Sequence, residues 1–566
     1  MSRQRVPAPA GPKLVPLTEK YPELLPKRRR VVVLLADDRS HPPLVRAYVR
    51  EFKRRTPTVV VPTSTSSLGV PRRASKAVAD SPEEQHEVLS RLGPVDLVVD
   101  VRGAAAASRE ETWRRLHHHL RDKGAWVIDR RLDPARLSYV EHILQLQAGA
   151  PGKRGAEDPE TRDLLACTSR VVLEPEIMVA AKRLRTFLKL TDDNANELAP
   201  LRNPELRLRE ITALPAQTFR HRGRVISHES AVDIRGLSDR LDPPTMHLRH
   251  YRGPVAMASN QLVYAPYTIL PDAFRQHLVD FPTNAALRNE SVHFARIRPR
   301  FQPTRTLAGT YYLLDSENSG HYGHLMTDVV SRMWGWDVAK QRIPDLKAIF
   351  RIRYPGERVP VLEQRVFAAF GIQPEDIVWT DEPVWLESAV GASTMWHNQP
   401  RQYVHPRMAE IWRRIGAGLG EGEIETSERL FVSRTGDLRY RNCRNIRDVE
   451  ALFESLGFRV IFPERFDLAD QARLFRHARV VAGLGGSGLF NTLFSQNLET
   501  LVVLNAEGYT ARNEHLVSAV LGCDTHYFWS TPDTPHPAGG WTWDGYRSDW
   551  EFDFARNQEA LVKLLT

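Results

Sequence analysis

Late in the chain an apolar run, Ala478–Ala482, meets the turn Gly483-Leu484-Gly485-Gly486-Ser487-Gly488 and then the apolar stretch Leu489–Ser495. Such a turn between a buried strand and a helix belongs to a βαβ unit. Glycine lets the helix start approach the strand end closely and leaves backbone amides facing outward. The surroundings agree. Strands are expected at Arg429–Ser433, Phe458–Ile461 and Leu501–Leu504, helices at Asp448–Leu456 and Leu468–His477. Strands alternating with helices predict a parallel sheet.

The same alternation opens the chain. Strands are expected at Arg30–Ala36, Thr58–Pro62, Val95–Val101 and Ala125–Asp129, helices at Leu44–Arg54, Pro82–Leu92 and Glu110–Arg121. This is a Rossmann-like pattern of α/β class. His117-His118-His119 falls inside a helical pattern, where three consecutive side chains diverge; a solvated face is expected there rather than a metal site. Residues 1–29 read as a flexible arm; the run Lys27-Arg28-Arg29-Arg30 at its end is short, so a solvated face is expected there ahead of contact with anionic lipid. The Gly-, Pro- and charge-rich stretch Ala148–Asp163 reads as a linker, and a helix is expected near Pro175–Lys189.

Composition narrows the class. The chain has 566 residues, 42% hydrophobic and 26% charged, with a net charge of +9. These are ordinary values for globular domains and exclude a wholly disordered chain. No uninterrupted apolar run approaches the length of a membrane-spanning helix, and the N-terminus lacks the apolar core of a secretory signal. Three scattered cysteines fit a reducing cytosol. No sustained basic stripe suggests nucleic acid. The Arg- and Ala-rich composition resembles that of high-GC bacteria.

Two segments concentrate the chemistry. In the glycine turn, amides at a helix start favour an anion, Ser487 adds a hydroxyl, and Arg434 and Arg441 supply guanidinium groups suited to a diphosphate. Gly483, Gly485 and Gly488 also spell the dinucleotide-binding fingerprint, with Glu507 where a ribose-binding acid would be sought. A nicotinamide-dependent oxidoreductase is therefore a rival reading, although that fingerprint normally occupies the first βα unit. The other segment is Gly309–Trp336, read as a strand, a polar turn and a helix beginning near Gly323. His324, Asp328 and Arg332 recur there every four residues and share a face. Polar groups on an otherwise apolar helix must pair or line a cleft.

Residues 310 to 530 resemble glycosyltransferase family 61. The resemblance rests on Gly323, His324, Leu325, Asp328, Arg332 and Trp334; on Ser433, Arg434, Arg441 and Asn445; on Gly457 and Phe458; on Gln471; and on Gly483, Gly485, Gly486, Ser487, Leu489, Asn491 and Phe494. Two positions depart from the family pattern. Gly485 stands where many members carry histidine, and Asp328 where glutamate is usual.

The resemblance implies a GT-B fold: a pair of Rossmann-like lobes, here with an extra N-terminal Rossmann-like domain. The N-terminal 200 residues lie outside the resemblance; together with the residue pattern there, the expected segments are 30–147 for the extra domain, 148–204 for linker and helix, 205–415 for the acceptor-side lobe, 416–530 for the donor lobe and 531–566 for a tail packing back. The implied activity is inverting, metal-independent transfer from a nucleotide-sugar, a UDP-sugar first, to a glycan or glycolipid in cell-surface polysaccharide synthesis. No cofactor is needed, and no Asp-x-Asp occurs to hold a metal on the diphosphate. Asp328 is preferred as base with His324 assisting, narrowly over the reverse, and Arg332 and Gln471 support. Arg434, Arg441, Asn445, Gly485, Gly486, Ser487, Gly488 and Asn491 would hold the donor. The expected setting is cytoplasmic, at the inner face of the membrane. A non-catalytic glycan-assembly scaffold is the remaining alternative. Residues 95–129 also resemble the second half of class I methyltransferase domains, but the first strand runs into Ala36-Asp37-Asp38-Arg39 without glycine. S-adenosylmethionine binding is thus not expected, and the domain reads as degenerate.

Overall fold

A computed structural model describes residues 16–25, 31–40, 42–52, 56–65, 70–148, 158–228, 239–352, 360–399, 401–435 and 440–566. The basic run 27–30 and most of the 148–163 stretch lie outside these residues. The chain divides into two compact units. One comprises Met1–Leu208, Val263–Pro271 and Thr283–Gln302; the other comprises Arg209–Leu262, Asp272–Pro282 and Pro303–Thr566.

The first unit carries strands β1 (Val32–Leu35), β2 (Thr58–Val61), β3 (Ser75–Val78), β4 (Val95–Asp100), β5 (Leu120–Asp129), β6 (Thr168–Leu173) and β7 (Ile177–Lys182) in the order β3-β2-β1-β4-β5-β7-β6. The first five run parallel, and β7 lies antiparallel to both β5 and β6. Helices cover both faces, so β1, β2 and β4 are buried at every residue. Helix Pro82–Leu92 shows the local logic. Ser81 accepts the Glu84 amide as N-cap, proline opens the first turn, and Gly93 at φ 89° ends it. At the carboxyl end of β1, where an open sheet of this kind takes its ligand, Asp37 Oδ1 instead accepts from Arg39 N, Ser40 Oγ and Gly103 N.

Three expectations change in this unit. The helix expected near Pro175–Lys189 is strand: β7 is buried throughout, so its unbroken apolar run marks a central strand rather than a helix face. The histidines of 117–119 are buried, not solvated. The helix stops at Leu116, and a tight turn carries all three inward before β5. Neutral imidazoles then pack as aromatic rings, and burial pushes His117 down to about 3. Finally, residues 16–25 of the expected arm bury Leu17, Tyr21, Leu24 and Leu25 in the core.

The second unit is built around two large sheets. In chain order their principal strands are β8 (Val225–His228), β9 (Met246–Ala258), β10 (Arg305–Leu313), β11 (Lys347–Arg351), β12 (Ile377–Thr380), β13 (Val384–Ala392), β14 (Arg429–Val432), β15 (Arg459–Ile461), β16 (Val480–Leu484), β17 (Thr500–Ala506) and β18 (Asp524–Ser530). Strands β13, β10, β11 and β12 pair in parallel, with β9 antiparallel to β13. The other sheet is wholly parallel, in the order β8-β18-β17-β16-β14-β15. From β14 the chain goes outward to β15 and returns past β14 to β16. That reversal is a topological switch point, and its crevice lies at the carboxyl ends of β14 and β16.

One hydrophobic core joins these sheets, from Tyr312, Met326 and Val330 to Val432, Leu489 and Trp529. The C-terminal residues Phe552, Leu561 and Leu565 close the opposite face of the parallel sheet. Two helices depart from expectation. The apolar segment after the glycine turn winds as a 3-10 helix, Ser487–Phe494. The helix expected from Gly323 begins with one turn at Tyr322–His324, widens to π over Leu325–Val329 and tightens to 3-10 over Val330–Gly335. Such irregular winding recurs at functional sites.

Trp412 anchors the widened turn. Its indole is fully buried, donates to the Met326 carbonyl at 3.2 Å and meets Trp396 edge-on. Trp412→Ala is expected to cost about 3–5 kcal/mol, read as a lower urea midpoint. A loss below about 1 kcal/mol would show that the wide turn holds without it.

Candidate functional site

The carboxyl end of β10 runs into Asp315, Ser316 and Glu317, and the polar turn after it is pinned at several points. Gly320 N donates to Glu363 Oε1 at 2.7 Å, and Asp315 Oδ2 accepts the Gln261 amide at 3.0 Å. His321 caps the next turn by accepting the His324 amide. His324 Nδ1 lies 2.7 Å from Asp328 Oδ2. A carboxylate only accepts, so Nδ1 carries a proton, and in the neutral ring the lone pair lies on Nε2. Arg332, the third member of the row, turns away: its Nη1 donates to the Asp315 carbonyl at 3.1 Å.

The sequence pattern did not reveal the charges around this pair. Arg275 arrives from another part of the unit and lies 3.6 Å from Asp328 and 3.8 Å from Glu317. Burial works against the Asp328 carboxylate. The hydrogen bond from His324 and the charge of Arg275 outweigh it and hold the group below the usual carboxylate range. Glu317 has less help. Burial pushes it up to about 7, and burial pushes Asp315 to about 6. Neighbouring carboxylates pushed in opposite directions, Glu317 up and Asp328 down, are the electrostatic signature of a site rather than a surface ion pair.

The glycine turn faces this segment. Gly323 packs so closely on Phe490 that an added Cβ would come within 3.0 Å of the ring. Tyr322 hydroxyl donates to Asn491 Oδ1, whose Nδ2 donates to the Gly488 carbonyl at 3.3 Å. Asn491 thus ties the start of the first helix to the turn. Within the turn, the Gly485 amide donates to the Leu504 carbonyl at 3.1 Å, and the Gly486 amide donates to Glu514 Oε1 at 2.8 Å. Gly486 sits at φ 135°, and a Cβ there would strike Arg434 Nη2 at 2.5 Å, so no other residue fits. The turn's outward amides are therefore those of Ser487 and Gly488, which lead the helix and have no intrahelical partner.

A cleft of about 980 Å³ opens here, lined by His321, Tyr322, Arg434, Tyr440, Arg441, Gln471, Ser487, Gly488 and Asn491 among others. Arg434 leaves the end of β14 and donates to the Gly485 carbonyl at 2.9 Å. Arg441 adopts φ 65° and stacks 4.3 Å from the Tyr509 ring, its Nε and Nη1 buried without hydrogen-bond partners. Burial lowers the Arg434 pKa, and the Arg441 charge lowers it further. Two half-buried guanidinium groups that repel each other leave room for an anion. Arg365 also lines the cleft and pairs with Asp467 at 3.4 Å.

Other expected site residues lie elsewhere. Asn445 clasps Phe552 through both amide atoms, at 2.9 and 2.8 Å, and orders the loop behind the cleft. Gly485 and Gly486 build the turn without lining the cleft. Where the family carries histidine, a Cβ on Gly485 would come 2.1 Å from Asn505 Oδ1. Glu507 accepts from Arg556 at 2.8 Å, and the turn bearing the dinucleotide-like glycines follows the fourth strand of its sheet in chain order. Among the described residues no three His, Cys, Asp or Glu side chains converge on a metal-sized site. No described helix is long and apolar enough to cross a membrane.

Comparison with known proteins bears on this geometry. Residues 322–503 match the family model described as Glycosyltransferase 61, which supports a glycosyltransferase of that family. The match spans both the His324–Asp328 segment and the glycine turn. No curated protein matches the chain. Among solved structures, the MycE methyltransferase of mycinamycin biosynthesis, in complex with magnesium and SAH, is 15% identical with a TM-score of 0.24; the alignment covers 30% of this chain and 48% of that one. A complex of the same enzyme that also holds mycinamycin VI gives 14% and 0.24, with 30% and 48% covered. The chain thus spans about half the length of these structures.

Glu317 gives the site a pH signature. Its proton is kept in the folded state between about 4.5 and about 7, where the unfolded chain has already lost it. Stability from this group is full below that window, falls as pH rises through it and stays lost above. Glu317→Gln is expected to raise Tm by roughly a few degrees near pH 8, with the gain gone near pH 4. An equal effect at both pH values would remove the buried proton from the account.

Proposed function

We propose that the second unit is an inverting, metal-independent glycosyltransferase of GT-B type that moves a sugar from a nucleoside-diphosphate sugar, a UDP-sugar first, to a hydroxyl of a cell-surface glycan or glycolipid, at the cytoplasmic side of the membrane. One observation carries the reading: the carboxyl ends of two adjacent parallel strands bring Arg434 and the Ser487–Gly488 amides to a cleft shared with Arg441 and entered by the His321–Tyr322 turn. Guanidinium groups and helix-leading amides compensate a diphosphate as it leaves.

Inversion needs one base on the acceptor hydroxyl. His324 supplies it in this reading. Asp328 holds the imidazole by Nδ1 and stabilises the cation formed when Nε2 takes the proton. Asp328 itself is a poor base, because its low pKa leaves it little tendency to accept a proton. This reverses the order preferred from sequence, and the reasons are the hydrogen bond from His324 and the charge of Arg275, the second of which no local pattern announces. The acceptor oxygen then bonds to the anomeric carbon while the diphosphate departs from the opposite face. Its new charge falls on Arg434, Arg441 and the turn.

Arg434→Ala and Arg441→Ala are each expected to weaken UDP binding at least about tenfold, the scale of a lost charge-assisted hydrogen bond. His324→Ala should leave UDP affinity within about threefold while cutting transfer by roughly 10²–10⁴. Calorimetry with UDP, GDP and NADH, followed by assays on a nucleotide-sugar panel, measures both. Unchanged UDP affinity in both arginine variants, or tighter binding of NADH than of either nucleotide, would sink the proposal.

A further inference from the structure

The C-terminal segment holds an exposed aromatic cluster that the donor cleft does not use. Trp541 is 48% exposed, Trp543 57% and Tyr440 37%. Trp541 and Trp543 lie 4.8 Å apart, edge to face, and both approach Tyr546. Arg547 sits between Trp543 and Tyr440, 4.6 and 5.2 Å from their rings. Three large aromatics left in water side by side are costly for a folded chain and mark a binding surface.

The cluster is rigid and continuous with the cleft. Thr542 caps the turn Trp543–Arg547 by accepting the Gly545 amide at 3.2 Å. His536 accepts the Thr542 amide at 3.2 Å and holds the Gly508 carbonyl at 2.9 Å. The Arg441 amide donates to the Arg547 carbonyl at 3.1 Å, so the strand of chain that places Arg441 in the cleft also fixes the aromatic turn. Tyr440 belongs to both surfaces, since it lines the cleft and stacks on Arg547.

We infer that Trp541, Trp543 and Tyr440 form an acceptor subsite that binds the sugar rings of a glycan. The inference rests on the adjoining cleft being the donor site. A pyranose presents one face of C–H bonds, which stacks on the negative face of an aromatic ring, and hydroxyl groups around its edge. The patch offers both counterparts: flat rings, with the exposed Asp544 carboxylate and the Arg547 guanidinium at their margin. A purely apolar partner would leave those two charges unpaired, and an anionic membrane would meet the Asp544 carboxylate. The aromatic rings would hold the penultimate residues of a chain whose terminal hydroxyl enters the cleft, so affinity should grow with glycan length.

The test compares the full-length protein with W541A/W543A and W541F/W543F on a printed array of neutral and acidic oligosaccharides, with UDP calorimetry in parallel. The exposed positions make folding defects small, and thermal melts check this. The expected result is length-dependent glycan binding that falls at least tenfold in the alanine variant and returns in the phenylalanine variant, while UDP affinity stays the same. Failure of UDP to bind any of the three proteins would count against the donor reading alone, because the array reads the aromatic subsite separately. Absence of array binding by the wild-type chain, equal binding by wild type and the alanine variant, or loss confined to phosphatidylglycerol vesicles would overturn the inference.

Discussion

The site depends on one backbone pairing. Strands β14 and β16 run parallel with Val432 opposite Gly483. Their carboxyl ends therefore finish together, one continuing into Arg434 and the other into the glycine turn. The approach is tight enough that a Cβ on Gly483 would come 2.7 Å from the Val432 carbonyl. A shift of this register would carry the arginine away from the turn. The helix-leading amides and the guanidinium group would no longer face one cleft, and neither alone makes a diphosphate site.

Buried charge sets the remaining character of the unit. Asp315, Asp328 and Arg332 are buried, and Glu317 and Arg275 are half-buried, so neighbours weigh heavily on the charge of each. Asp328 has the closest partners and stays ionised. Glu317 has weaker ones and is pushed up to about 7. Two carboxylates whose pKa values are pushed apart are how one pocket supports both a charged and a neutral role. At the other side of the glycine turn, Glu514 takes the Gly486 amide and so removes one anion-binding donor from play. The positive character of the cleft then rests on arginines more than on backbone.

The first unit shows a sheet of similar make whose crevice is used differently. Its strand order reverses at β1 and β4, as a ligand-binding sheet requires. Yet Asp37 spends its carboxylate on the local loop, and Asp100 is held by Arg102 at 2.6 Å. The side chains at that point thus satisfy one another.

The amino-acid sequence by itself determined the alternating strands and helices of both sheets and the glycine turn. It also paired His324 with Asp328, because a spacing of four survives even a widened helical turn. These are local properties, set by periodicity and by residue type. It misread 175–189 and the histidines of 117–119, where burial on both sides erases the pattern that separates strand from helix and solvated from packed. Only the tertiary structure brought Arg275 and Glu317 to Asp328, turned Asn445 to the back of the cleft and joined Tyr440 to Trp543. Those contacts link residues tens to hundreds of positions apart, and burial then decides which groups keep their protons. Neither the distance nor the burial is written in any short stretch of chain.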